Sequence, residues 1–191
     1  MTWPAATDAL RARIGWHAAR RLVAARPAQA RVPADRVRRV LVVLPPEEHA
    51  LRAAWAFVEA LGAPVVLAVP SDSVAFVPDA FAGAVVRVGP RETDWRGLPR
   101  RAVLVRLWPA DLDVAVSLAP ASLAAAVLVG AAPAGLRVGV DTGSAGGFYD
   151  LALGADTADV AQALLARLAQ IRPSVVPLAV RGLSRTVVRV Q

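Results

Sequence analysis

The sequence predicts an α/β chain, a single doubly wound, mostly parallel Rossmann-like sheet with a basic helix appended at the N-terminus. Short, continuous apolar runs rich in valine recur along it, Val40–Leu44 being the clearest. Such runs mark strands covered on both faces. Segments with apolar residues at helical spacing alternate with them, the order of βαβ units. The stretch Leu112 to Asp150 shows the pattern most compactly: buried strand, nearly uncharged helix, buried strand, glycine-rich turn.

The elements follow in order. A helix capped by Thr7 or Asp8 is expected to run to about Arg26, stopped by Pro27. Leu10, Ile14, Ala18, Leu22 and Ala25 share one of its faces, and Arg11, Arg13, Arg20 and Arg21 lie mostly off it. With the Pro- and Ala-rich linker after it, this helix forms a segment 1–37, ahead of a Rossmann-like domain 38–172 and a basic tail 173–191. In the domain, Val40–Leu44 is the first strand. Pro45-Pro46-Glu47-Glu48 opens a helix that turns Leu51, Trp55, Val58 and Leu61 inward and ends at Gly62. Val65–Val69 and Val85–Val88 are strands, with a single helical turn at Pro78–Phe81 between them. Gly89–Arg101 is polar and irregular. Val103, Leu104, Leu107 and Trp108 fit a short helix, with a strand as the alternative. Val114–Leu118 and Leu136–Val140 are strands flanking a helix at Pro120–Ala131, and Phe148–Leu153 is a short further strand. Thr157–Ile171 is a helix, followed by the Val-rich tail. The expected strand order is 3-2-1-4-5, the first strand central.

Composition narrows the function classes. The chain has 191 residues, enough for one domain with appendages, and 56% are hydrophobic. The longest uncharged run, Val114–Leu136, is broken by Pro120, Gly130, Pro133 and Gly135, so it reads as core and no membrane span is expected. No cysteine is present, which excludes disulfides, thiolate metal sites and cysteine nucleophiles. No secretory signal is legible, and a cytoplasmic location is expected. Every basic residue is an arginine, and these are concentrated at the ends. Residues 1–40 hold nine arginines against Asp8 and Asp35, and residues 181–191 hold Arg181, Arg185 and Arg189 with no acid. Residues 41–180 are net acidic. Arg11, Arg13, Arg20, Arg21, Arg181, Arg185 and Arg189 are therefore the residues expected to meet a polyanion.

Few motifs carry chemistry. Asp141-Thr142-Gly143-Ser144 spells the local signature of an aspartic protease, but such a site needs two carboxylates sharing a proton, and the motif occurs once. Asp141 is expected to be structural. The turn Gly143, Ser144, Gly146, Gly147 has the small residues that let backbone N–H groups cradle a phosphate, without the lysine of a Walker loop. His17 and His49 each stand alone, so no metal site is expected, and no cofactor is. Trp95, beside Arg91, Arg96, Arg100 and Arg101, is either a stacking platform for a base or a loop tryptophan folded back on the domain.

The strands named above, with Leu112–Leu118 and Leu136–Val140 in particular, resemble the N-terminal half of heptosyltransferase-type (GT-B) glycosyltransferases over residues 38–140. The whole chain, with its N-terminal helix, Asp94-Trp95-Arg96-Gly97 and Phe148-Tyr149-Asp150-Leu151, resembles a stand-alone bacterial Rossmann-like family, which implies a fold and no activity. The transferases bind nucleotide-sugar mainly with a C-terminal domain that has no counterpart here, and Pro45-Pro46-Glu47-Glu48 replaces their glycine-containing loop. The resemblance thus implies the fold more than the activity.

Three functions follow as expectations. The first is a non-catalytic domain docking on an acidic partner, RNA or the ribosome, through its basic ends, with a protein surface against the apolar face of the N-terminal helix. The second is a glycosyltransferase-like enzyme or half-enzyme acting on a nucleotide-sugar or other phosphate compound. The third is a dimeric aspartic protease using Asp141.

Overall fold

A computed structural model of the chain describes residues 3–26, 37–61, 63–120, 122–141, 143 and 147–154. The element order is α1 (Trp3–Ala24), β1 (Val40–Val43), α2 (Glu48–Ala60), β2 (Val65–Pro70), a 3-10 segment (Ser71–Phe76), β3 (Ala84–Val88), α3 (Arg101–Leu107), β4 (Val114–Ser117), α4 (Leu123–Gly130), β5 (Leu136–Asp141) and β6 (Leu151–Gly154). The expected helix at Thr157–Ile171, the basic tail and most of the linker lie outside the described residues.

The six strands form one sheet in the order β3-β2-β1-β4-β5-β6, and every pairing is parallel. This is the Rossmann-like order that the sequence implies, extended by β6 at the far edge. β1 is the hinge of the layout, pairing Val40 with Val65 on one side and with Val114 on the other. All four of its residues are buried, because both its faces are covered. Val40 and Val42 point with Leu67, Val116 and Val138 to the layer holding Leu51, Phe57 and Val58 of α2. Leu41 and Val43 point with Ala68 and Ala115 to the layer holding Val103 and Leu107 of α3 and Leu128 and Val129 of α4. Fully burying such a side chain contributes about 1.5–3 kcal/mol, so these central strands dominate stability.

Several local expectations need correction. α1 begins at Trp3, so Thr7 and Asp8 lie inside the helix and do not cap it. α2 buries Ala54 and Phe57 besides Leu51 and Val58, while Trp55 is only half-buried, packing edge-on against Phe81 with ring centroids 5.5 Å apart. A 3-10 segment at Ser71–Phe76, directly after Pro70, is an addition, and the expected single turn at Pro78–Phe81 is present, with the Phe81 N–H donating to the Pro78 carbonyl at 3.0 Å. α4 starts at Leu123, where Ser122 Oγ accepts from the Ala125 N–H at 3.2 Å. Residues 101–107 are helical, which resolves the helix-or-strand alternative.

α1 is separated from the sheet by α4, on which it packs. The residues that dock it are Ala19 and Val23, which join Ala126, Val127, Leu98 and Phe148 in one buried cluster, with Trp16 against the Phe148 ring. Gly15 allows the closest approach: a Cβ there would lie 2.5 Å from the Arg96 carbonyl oxygen and 2.6 Å from Leu123 Cδ2. Arg26 fastens the end of the helix, donating to the Gly130 and Phe148 carbonyls at 2.8 and 3.0 Å and pairing with Asp150 at 3.6 Å.

Candidate functional site

In an open α/β sheet, ligands usually bind outside the strands' C-terminal ends where the order reverses, here between β1 and β4. The residues described at these two strand ends are mainly apolar. Leu44, Pro45, Leu118 and Ala119 are all buried there, and Ser117 Oγ turns inward to donate to the Ala119 carbonyl at 3.3 Å. Pro45 and Pro46 withhold two N–H donors from the approach to α2, and Glu47 and Glu48 put negative charge at its start. A phosphate at this point would meet carboxylates where nucleotide-binding folds offer backbone N–H groups.

Two clefts lie wholly among the described residues, both away from that crevice. One, of about 560 Å³, is at the N-terminal ends of β1–β3, lined by Arg39, Trp55, Val65, Phe81 and Gly83 among others. Its arginine is engaged, with Arg39 Nη1 3.1 Å from Asp111. The other, a groove of about 410 Å³, runs between α1 and the loop after β3 and is lined by Ile14, His17, Ala18, Arg21, Leu22, Arg96 and Leu98.

The groove brings together two features far apart in the sequence. On the α1 side, Leu10, Ile14 and Leu22 are 58%, 37% and 44% exposed, an apolar stripe that the docked face leaves open to solvent. Arg11 and Arg21 lie along the same side of the helix, spaced three or seven residues from Ile14 and Ala18; Arg13 and Arg20 lie on a second solvent-facing side. All four arginines are exposed. None takes part in the ion pairs formed among the described residues, which instead occupy Arg26, Arg38, Arg39, Arg96 and Arg137.

On the other side of the groove, the loop between β3 and α3 is tightly built. Asp94 Oδ1 accepts from the backbone N–H groups of Arg96 and Leu98 at 2.8 and 3.1 Å. Its Oδ2 accepts from both Arg96 Nε and Nη2, at 2.9 and 2.7 Å, a charge-assisted pair with one oxygen shared by two nitrogens. Gly97, at φ 81°, closes the turn by donating to the Asp94 carbonyl at 2.9 Å. Burial would raise the Asp94 carboxyl, but the bonds from Arg96 and Leu98 and the Arg96 charge outweigh it and hold it below the ordinary value of 3.8. Trp95, at the tip, is 65% exposed. The expectation of a tryptophan folded back on the domain is therefore not met, and Arg96 is tied to Asp94 and not free for a phosphate. Nothing in the composition of Gly89–Arg101 distinguishes this ordered loop from an irregular one.

Neither family models, nor curated proteins, nor solved structures gave a match to the chain. The remaining expected site residues are scattered. Asp141 ends β5, its backbone paired with Gly154. Gly143 and Gly147 have φ of 88° and 79°, which only glycine adopts readily. Ser144, Gly146, Arg181, Arg185 and Arg189 lie outside the described residues. His17 lines the groove and His49 is exposed on α2. Among the described residues no group of three or more His, Cys, Asp or Glu is placed to hold a metal, and no helix is long and apolar enough to cross a membrane.

Sequence reading did not single out Arg137. On β5 it is buried, with Nε donating to the Ala132 carbonyl at 2.9 Å and Nη1 to Asp150 at 3.1 Å, while Nη2 has no partner. Burial and the nearby Arg26 charge lower its pKa, and Asp150 opposes both. With Arg26 it forms a structural clasp joining α1, α4 and the β5–β6 edge.

Proposed function

We propose that the protein is a non-catalytic docking domain whose α1 face binds an acidic partner, RNA alone or on the ribosome. The observation that carries the reading is the contrast among arginines. Those that hold the fold together are paired, whereas Arg11, Arg13, Arg20 and Arg21 are exposed and outside every ion pair of the described residues. A folded domain that leaves four cations of one helix outside the ion pairs of its described residues has a surface suited to phosphate contacts. The exposed Leu10–Ile14–Leu22 stripe beside them suits a protein component of the same assembly. Pro45 and Pro46, which withhold N–H donors, and the carboxylates Glu47 and Glu48 at the start of α2 favour docking over turnover of a nucleotide there. A cytoplasmic setting belongs to the same reading, because RNA is the abundant polyanion there.

The test is the salt dependence of binding, measured by fluorescence anisotropy with labelled single-stranded RNA and by co-sedimentation with ribosomes. Four arginine–phosphate contacts on a single strand should lose about 50-fold in affinity between 50 and 200 mM salt. Replacing Arg11, Arg13, Arg20 and Arg21 together by Gln should flatten the log–log slope by about 0.7 for each arginine removed. Thermal stability should change little, since exposed charges contribute little to folding. Absence of any salt-dependent association at 50 mM salt would overturn the proposal.

A further inference from the structure

We infer that this face prefers single-stranded RNA, with the Asp94–Leu98 loop acting as a preorganised platform on which one unpaired base stacks against Trp95. The inference rests on the docking reading above and adds the class of nucleic acid to it.

A loop tryptophan exposed to this extent is usually a feature of a flexible loop. Here the loop is fixed by the Asp94 carboxylate, by the turn through Gly97, and by Arg100, whose N–H donates to the Glu92 carbonyl at 2.8 Å. An antiparallel bridge between Thr93 and Pro99 closes its base. Leu98 anchors the loop in the cluster under α1. The indole is thus held out by an ordered backbone, and presenting it costs little further ordering on binding.

The arrangement around Trp95 is that of a single-strand site, a basic surface following the backbone and an aromatic ring taking a base. The close approach of Gly15 to the Arg96 carbonyl puts α1 against the residue next to Trp95. Arg21 lines the groove between them and Arg11 lies on the same side of the helix. Arg96 neutralises Asp94 at this rim, so that carboxylate does not repel a phosphate. The groove floor of Ile14, Ala18, Leu22 and Leu98 offers apolar surface to the sugar and base next along the strand. A duplex keeps its bases stacked inside and has no free base face to give Trp95, whereas a single strand has one at every nucleotide.

The experiment uses the full chain with a short single-stranded RNA and with a duplex of the same sequence, comparing wild type, Trp95→Ala and Trp95→Phe. Wild type should bind the single strand more tightly and show quenched tryptophan fluorescence. Trp95→Ala should weaken single-strand binding about tenfold and leave duplex binding and the salt slope unchanged. Trp95→Phe should retain most of the affinity while losing the quench. Unchanged single-strand affinity in Trp95→Ala, with salt-dependent binding intact, overturns the stacking inference and leaves the docking proposal standing. Binding of neither RNA overturns both, and the apolar stripe then belongs to an acidic protein partner.

Discussion

Asp94 organises the site at the scale of a single residue. One carboxylate orders two backbone N–H groups and fixes the Arg96 guanidinium, so it decides both where Trp95 is held and that Arg96 is not available to a ligand. Because its folded pKa lies below the ordinary 3.8, the stability it contributes is fully present above that value. It is lost as pH falls through the lower folded value. Asp94→Asn keeps an oxygen for the backbone N–H groups and removes the charge-assisted pair. The stability gap between wild type and Asp94→Asn, from urea denaturation, should therefore hold constant from about pH 7 to about 5 and close below about pH 4. A gap unchanged down to about pH 3 would mean that the ionised carboxylate does not support the loop.

α1 shows that the conspicuous apolar face of a helix need not be the face that meets its own domain. Its conspicuous apolar residues, Leu10, Ile14 and Leu22, are the exposed ones, while Gly15, Ala19 and Val23 meet the domain. Small residues allow close backbone approach, and a hydrophobicity pattern gives glycine and alanine little weight. Gly15→Ala separates the two arrangements by sign. In an unpacked helix the change stabilises by about 1 kcal/mol. Here the new methyl would meet a backbone carbonyl, and overpacking of that kind costs about 1–3 kcal/mol, so a net loss of about 1 kcal/mol is expected in urea denaturation. A gain would show that α1 is not docked as described. Strands β1–β5, by contrast, were readable almost to the residue, because a strand covered on both faces needs an unbroken apolar run and few other segments have one, whereas β6, expected at Phe148–Leu153, lies at Leu151–Gly154. The Asp94–Leu98 loop was not readable, because its order comes from hydrogen bonds between side chain and backbone that composition does not encode.

For the whole molecule, the sheet order could be anticipated from alternating strands and helices, since connection rules leave few parallel arrangements. The candidate site could be anticipated only in pieces. The α1 arginines stood out as charge and Trp95 as an isolated aromatic, and their juxtaposition depends on the crossing of the 89–98 loop from β3 to α1, a long-range approach. The central claim is that the partner meets this combined face and not the β1–β4 crevice. Backbone amide chemical shifts of the ¹⁵N-labelled protein, recorded during titration with single-stranded RNA at low salt, test it most directly. Perturbations should be confined to residues 10–22 of α1 and 94–98 of the loop. Perturbations centred on residues 44–48 and 117–120, at the C-terminal ends of β1 and β4, would contradict the account.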